Sequence, residues 1–176
     1  MLKSPHSTAF GLIYASKNYF CAMIKWTLKN FDDLTLRELY GALALRQAVF
    51  VVEQNCPYVD ADGRDQAAFH LFAHDTEGDL VACTRLIPAG ISYEKYASIG
   101  RVVTAEKVRG TGLGRELMAR SIEACGGLFP GQPVKISAQA HLEKFYQSLG
   151  FAPTGEAYLE DGIPHVGMIL GQKTTI

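Results

Sequence analysis

The sequence predicts one α/β domain of the α+β kind: a mixed, mostly antiparallel sheet flanked by helices, in the order β-α-β-β-β-α-β-α-β-β. Three observations predict it. Apolar residues recur with period two in some stretches and at i, i+3, i+4 and i+7 in others, so strands and helices are interleaved. No linker-like composition, internal repeat or low-complexity segment divides the chain. At 176 residues and 48% hydrophobic, it has material for one substantial core.

The elements follow in order. Residues 1–22 hold an apolar stretch broken by Lys17 and Asn18, without the clean apolar core and cleavage site of a signal peptide. They are expected to be a loosely attached extension, or a start placed too far upstream of a domain that runs from Met23 to residue 172. Ile24 to Leu28 alternates and predicts the first strand. Thr35 and Glu38 have capping-box spacing. The helix they open is expected to show an apolar face of Leu36, Leu39, Tyr40, Leu43 and Phe50. "EQNCPYVDADGRDQ" is read as a solvated or substrate-facing loop; Gly63 is misplaced for a calcium-binding loop. "AAFHLFAHD" and "DLVACTRLI" predict a hairpin turning at "TEGD" through Gly78. "YASIGRVVT" is the next strand. "GLGRELMARSIEACGG" is a helix with Met118, Ile122 and Cys125 on one face and Leu113 with Leu117 on another, expected to stop at Gly126 and Gly127. "PVKISAQA" is a strand, "LEKFYQSLGF" a short helix ended by Gly150, and "AYLEDGIPHVGMIL" two strands around "EDGIP".

Composition narrows the function classes. With 17 basic against 18 acidic residues, the chain lacks the charge to grip nucleic acid. No run of ~18 apolar residues offers a membrane-spanning helix, and a cytoplasmic location is expected. Cys21, Cys56, Cys83 and Cys125 are scattered, as free reduced thiols would be, and show no paired spacing for zinc, so no metal is expected.

One stretch demands chemistry. "EKVRGTGLGREL" sets Gly110, Gly112 and Gly114 behind Arg109. Dense glycine sacrifices backbone entropy, so a tight turn, a bound anion or both must require it. A Walker A loop would need a lysine here, and a dinucleotide fingerprint different spacing. What is left is R-x-x-G-x-G running into a helix, whose free N-terminal amides carry partial positive charge and can hold a pyrophosphate. Arg109 and Arg115 can add direct charge.

Together with "SIGRVVT", the following helix and "FYQSLGF", this loop resembles the GNAT superfamily of acetyl-CoA-dependent N-acetyltransferases, over roughly residues 24 to 170. "ALRQAVFVVEQNCPYVDADGRD" and "YLEDGIPHVGM" are similar to its ElaA-type branch. The resemblance implies acetyl-CoA as cosubstrate, with main-chain amides of Arg109, Gly110, Thr111, Gly112, Leu113, Gly114 and Arg115 around its pyrophosphate. It implies Val102, Val103 and Thr104 paired along the pantetheine arm, with an amide near Val102 or Val103 polarising the thioester carbonyl. Gln139 would stand where the family often has an asparagine near the cofactor. Phe145 and Tyr146 would lie at the cofactor, with Tyr146 close to the sulfur. Leu142 departs from the alanine of many members. The acceptor would be a primary amine of a small molecule or peptide, the protein a monomer or homodimer, and neither nucleic acid nor membrane a partner.

The base is not singled out by the residues. A lysine-like amine has a pKa of ~10.4, so deprotonating it at pH 7 takes about 4.6 kcal/mol. Glu53, Asp62, Asp65, His70, Glu160 and His165 are all candidates; Glu53, closing the first helix, and His165, after "DGIP", are carried forward beside Val103 and Tyr146. His70 and His74 can share a strand face as structural histidines, and Arg46 and Arg85 read as ion-pair partners. Three other readings stand: a non-catalytic coenzyme A-binding module, an acyltransferase like the acyl-homoserine-lactone synthases, and an interaction domain without ligand.

Overall fold

The computed structural model describes residues 23–171, so the expectations for residues 1–22 and residue 172 lie outside the described residues. Strand β1 (Lys25–Asn30) leads through a 3-10 turn into helix α1 (Leu36–Arg46), which continues as a π-helical segment, Gln47–Glu53. Strands β2 (Phe69–His74), β3 (Leu80–Ile87) and β4 (Ala97–Thr104) follow, then α2 (Leu113–Leu128), β5 (Val134–Gln139) and α3 (Glu143–Gln147). Three strands close the chain: β6 (Phe151–Pro153), β7 (Tyr158–Glu160) and β8 (Ile163–Leu170). They form one sheet in the order β1-β2-β3-β4-β5-β8-β6, with β7 also on β8, and every pairing is antiparallel except β4 with β5.

The predicted α+β class therefore holds, with one strand more than expected. β6 is three residues long and contains Pro153, which cannot donate to a ladder and hides the strand from its periodicity. It is recognisable only by its register on β8, Phe151 opposite Leu170 and Pro153 opposite Met168.

The capping box at α1 is present in both directions. The Glu38 amide donates to Thr35 Oγ1 at 3.2 Å, and the Thr35 amide donates to Glu38 Oε2 at 2.9 Å. Thr35→Ala is expected to lower stability by about 1 kcal/mol in urea titration; a loss below about 0.3 kcal/mol would make the cap dispensable. The predicted apolar face of α1 needs correction. Leu36 and Tyr40 are 86% and 78% exposed, and the buried line is Ala42, Arg46 and Val49. The helix lies so close to the sheet that a side-chain carbon at Gly41 would come within 3.9 Å of Leu80. Small residues and one charged residue face inward because the charge has partners there.

Gly126 and Gly127 do not end α2, which runs on to Leu128. Each glycine weakens a helix by about 1 kcal/mol. The Phe129 amide nevertheless donates to the Cys125 carbonyl at 2.9 Å, and the buried Phe129 ring anchors the end in the core. That core covers one sheet face under α2 and α3, where Met118, Ile136, Phe151 and Met168 meet. On the other face Ala42 and Val49 pack on Phe72, Cys83 and Val103. The β2–β3 hairpin turns as expected, with Gly78 at φ +86° and Asp75 accepting hydrogen bonds from the amides of Glu77 and Asp79.

Candidate functional site

The two central strands part company. β4 and β5 pair only at Ala97–Val134 and Ser98–Lys135. An irregularity in the β3–β4 pairing accompanies the parting. On β3, Cys83 faces Val103 but Arg85 faces Gly100, so β4 has a residue too many, and Arg101 takes φ +53°. This is a β-bulge, and a bulge bends its strand. A non-glycine residue at positive φ costs of order 1–3 kcal/mol and persists only when its surroundings hold it. Here Arg101 Nε pairs with Asp60 at 2.8 Å and its terminal nitrogen with Asp62 at 3.2 Å. The strands diverge around a cavity of about 690 Å³.

At the outer end of the parted β4 stands the start of α2. Gly112 is its N-cap at φ +98°, with Gly110 at φ +74°. A side-chain carbon at either position would meet nothing within 4 Å, so this helix start is open. One at Gly114 would sit 3.8 Å from Thr104 Cγ2, so the opening lies beside the end of β4. Not all the predicted amides are free. The Arg109 amide donates to Glu106, that of Arg115 to Gly112, and that of Leu113 to the Thr111 hydroxyl at 3.4 Å. Among the described residues none accepts from the amides of Gly110, Thr111, Gly112 or Gly114. Four unpaired donors on glycine-lined backbone with a helix behind them fit a diphosphate. The side chain of Leu113 is buried in the core, so only its main chain belongs to this loop.

The basic residues frame the opening. Arg115 donates to the Ser148 hydroxyl at 2.7 Å and lies 5.6 Å over the Phe145 ring, tying α2 to α3. Phe145 supports that arginine and lies outside the cavity lining. Arg109 swings across to Glu53, with bonds of 2.6 and 2.8 Å, and also reaches the Thr104 carbonyl. These hydrogen bonds from Arg109 hold the Glu53 carboxyl below the usual carboxylate range. Glu53 lines the cavity, but its charge is already engaged.

Val102, Val103 and Thr104 line the cavity with Ile136, Leu142 and Tyr146. Tyr146 is 6% exposed, and no described residue bonds its hydroxyl. Burial pushes its pKa up to about 12, so at neutral pH it is a hydrogen-bond donor. Gln139 also lines the cavity, and its amide donates to Gln54 at 3.1 Å, joining β5 to the π-helical end. His165 faces Gln139 across the β5–β8 pairing, and its Nδ1 meets the Ile163 carbonyl at 2.8 Å. The backbone carbonyl can only accept, so Nδ1 is the protonated nitrogen of that contact.

The loop of residues 53–66 is exposed over most of its length and lends Glu53, Gln54, Cys56, Tyr58 and Arg64 to the cavity lining, but it turns two aspartates inwards. Asp60 and Asp65 are buried and paired to a buried arginine: Arg46 meets Asp60 at 2.8 Å and Asp65 at 2.6 Å. Arg85 forms a two-bond fork to Asp62 at 2.7 and 2.8 Å and lies 3.3 Å from Asp65. Burial works to raise the Asp62 and Asp65 carboxyls, but hydrogen bonds from Arg85 to Asp62 and from Arg46 to Asp65, with the attraction of the neighbouring guanidinium groups, outweigh it and hold both below the ordinary range. Arg46 and Arg85 are the ion-pair partners their sequence suggested, and Asp62 and Asp65 are neutralised rather than poised as bases. His70 belongs to the same layer. Its Nε2 lies 3.1 Å from the Asp65 carbonyl, and burial pushes its pKa down.

Two cavity-lining groups were not singled out from the sequence. Ser137 on β5 and Tyr158 on β7 meet at 2.6 Å, beside Glu160. Only their tertiary pairing brings them together. Among the described residues one trio of carboxylates could gather a cation, Asp75, Glu77 and Asp79 on the β2–β3 turn; Lys107 already bonds two of them, at 2.7 and 2.8 Å. No helix of the described residues is long and apolar enough to cross a membrane.

Comparison with known proteins agrees with this geometry. Residues 47–171 match the family described as "Acetyltransferase (GNAT) domain". The chain is 46% identical over 147 residues to protein ElaA of Escherichia coli, covering 83% of this chain and 95% of that one. It is 42% identical to the protein sll0451 of Synechocystis, covering 83% and 94%. Among solved structures, an acyl-CoA N-acyltransferase from Pseudomonas aeruginosa is similar with a TM-score of 0.79 and 47% identity, over 84% of this chain and 99% of that one. Escherichia coli ElaA gives 0.79 and 43%, over 85% and 100%.

Proposed function

The chain belongs to the GNAT acetyltransferase family, and from that premise we propose that it moves an acetyl group from acetyl-CoA to a primary amine by direct attack. The observation that carries this reading is the set of four unpartnered amides at Gly110, Thr111, Gly112 and Gly114, opening beside the parted end of β4. In it, these amides hold the diphosphate, with Arg115 near by. The unpaired stretch of Val102, Val103 and Thr104 takes the extended arm as an added strand would be taken. A main-chain amide at Val102 or Val103 polarises the thioester carbonyl; an oxyanion donor of this kind is worth about 2.7–4 kcal/mol.

Tyr146 serves the sulfur as a hydrogen-bond donor. With its pKa near 12 and a thiol at ~8.5, full proton transfer to a thiolate would be uphill by about 5 kcal/mol. Glu53 positions Arg109 in this reading, and His165 shapes the acceptor end beside Gln139. The acceptor arrives from the face opposite α2 and α3, where Ser137, Gln139 and the loop around Tyr58 line the cavity.

Two measurements test this. Acetyl-CoA at ~1 mM is expected to raise the Tm by mass action on the folded state, and an amine panel to release free thiol. No shift removes the coenzyme A reading; a shift without thiol release for any amine leaves a binding module. Tyr146→Phe is expected to lower kcat about tenfold, one hydrogen bond of ~1.4 kcal/mol, while keeping the Tm shift. An unchanged kcat would strip Tyr146 of its role.

A further inference from the structure

Three polar side chains touch in a line on the acceptor side of the cavity. Tyr158 and Glu160 flank the exposed Leu159 on β7, so strand alternation sends both to one face. Between them stands Ser137 of β5: its Oγ is 2.6 Å from the Tyr158 hydroxyl and 2.6 Å from Glu160 Oε2. Both distances are at the short end for hydroxyl donors. Their direction is fixed by valence. The Glu160 carboxylate can only accept, so Ser137 gives it its single proton. The proton between Tyr158 and Ser137 is then the tyrosine's. The chain runs Tyr158 to Ser137 to Glu160, and the free lone pair is on the phenolic oxygen. The His165 ring stacks on the Tyr158 ring, 6.3 Å between centroids and 27° between planes. Ser137, Tyr158, Glu160 and His165 all line the cavity.

We propose that Tyr158, backed by Ser137 and Glu160, is a catalytic residue that removes the proton from a cationic alkylamine acceptor. This rests on the N-acetyltransferase reading and names its acceptor class: amines that reach the site as ammonium ions. The transfer balances. One ammonium N–H bond breaks and its proton joins the Tyr158 oxygen. The Tyr158 proton passes to Ser137 Oγ, and the Ser137 proton to Glu160 Oε2. Both hydroxyls are restored, the carboxylate becomes a neutral acid, and the amine keeps the electron pair with which it attacks. One positive and one negative charge vanish together. Glu160 is exposed and returns the proton to solvent.

The other carboxylate carried forward as a base is unsuited to the task. Glu53 is clamped by two hydrogen bonds from Arg109, whereas Glu160 has no cationic side chain within ion-pair distance among the described residues. Deprotonating an alkylammonium ion at pH 7 requires about 4.6 kcal/mol, so an acceptor of that class needs such a relay. An aromatic amine or hydrazine, neutral at that pH, does not.

The experiment compares the two classes in the full-length protein at pH 7. Acceptors are tyramine and spermidine on one side, aniline and phenylhydrazine on the other. Tyr158→Phe, Ser137→Ala and Glu160→Gln are each expected to lower kcat/KM for the alkylamines by about 100-fold, and to change it for the neutral acceptors by less than about threefold. Ser137→Ala combined with Glu160→Gln should do no more harm than the worse single change, because a broken relay cannot be broken twice. Each variant should keep the acetyl-CoA-induced Tm shift, which shows that the domain and donor site are intact. Equal losses for both acceptor classes, or no loss for alkylamines, overturn the relay while the transferase reading survives. Absence of thiol release by the unaltered protein with all four acceptors, despite a Tm shift, overturns the transferase reading and the relay with it.

Discussion

Gly112→Glu is expected to abolish the acetyl-CoA-dependent rise in Tm while the domain stays folded. Gly112 caps α2 at φ +98°, with open space where a side chain would go. A glutamate there brings negative charge to the amides that are to receive the diphosphate. It can satisfy them from within, and it repels the incoming phosphates. Binding should weaken by at least ~100-fold, or about 2.7 kcal/mol. The left-handed backbone adds its own penalty of about 1–2 kcal/mol for any L side chain. At about 2–4 °C per kcal/mol for a domain of this size, the unliganded Tm falls by a few degrees. Gly112→Ala separates the two effects, since it carries the backbone strain without the charge. It should lose a similar amount of Tm and keep most of the ligand-induced shift. If Gly112→Glu responds to acetyl-CoA as the unaltered protein does, the diphosphate is held elsewhere.

Arg46→Met is expected to be among the most destabilising changes in the domain, by about 3–5 kcal/mol in urea titration at pH 7. Arg46 is 1% exposed and binds both Asp60 and Asp65. Its removal leaves two buried carboxylates short of their main partner. Arg101 at 2.8 Å from Asp60 and Arg85 at 3.3 Å from Asp65 compensate in part, which points to the lower end of that range. The pH dependence has a definite sign. Asp62 and Asp65 are held below the ordinary carboxylate value in the folded protein. Their stabilisation is therefore complete above about pH 4, the unfolded value, and drains away as pH falls from there towards the folded values. Urea titrations at pH 7, 4 and 3 read both effects. A loss under about 1 kcal/mol at pH 7 would mean that water replaces Arg46 in the cluster.

How much of this was readable beforehand depended on range. The Thr35–Glu38 cap, the Gly78 turn and the run of glycines into a helix start are local devices, spelled within a few residues, and each takes the local backbone form expected of it. The inner face of α1 misled because the large apolar residues Leu36 and Tyr40 face outwards, while Arg46 turns inwards to aspartates 14 and 19 positions away. Nothing in "SIGRVVT" marks Arg101 for positive φ. Its strain is held by Asp60, 41 positions away, so the bulge is a tertiary fact. The contact of Ser137 with Tyr158 is another: 21 positions separate them, and the register of β8 between β5 and β7 brings them together. Glu53 could be placed near the cavity from its position after α1, but its capture by Arg109 depends on how two distant segments close.

The divergence of β4 from β5 also bears on aggregation. Unsatisfied strand borders normally sit on a protein's perimeter, where they invite foreign chains to zip on and seed aggregates. Here the vacant hydrogen-bonding rim is internal, flanked by a neighbouring strand and walled by helices on either side of the sheet. The protein thus keeps an adhesive strip inside its sheet, where strands and helices screen it from other proteins.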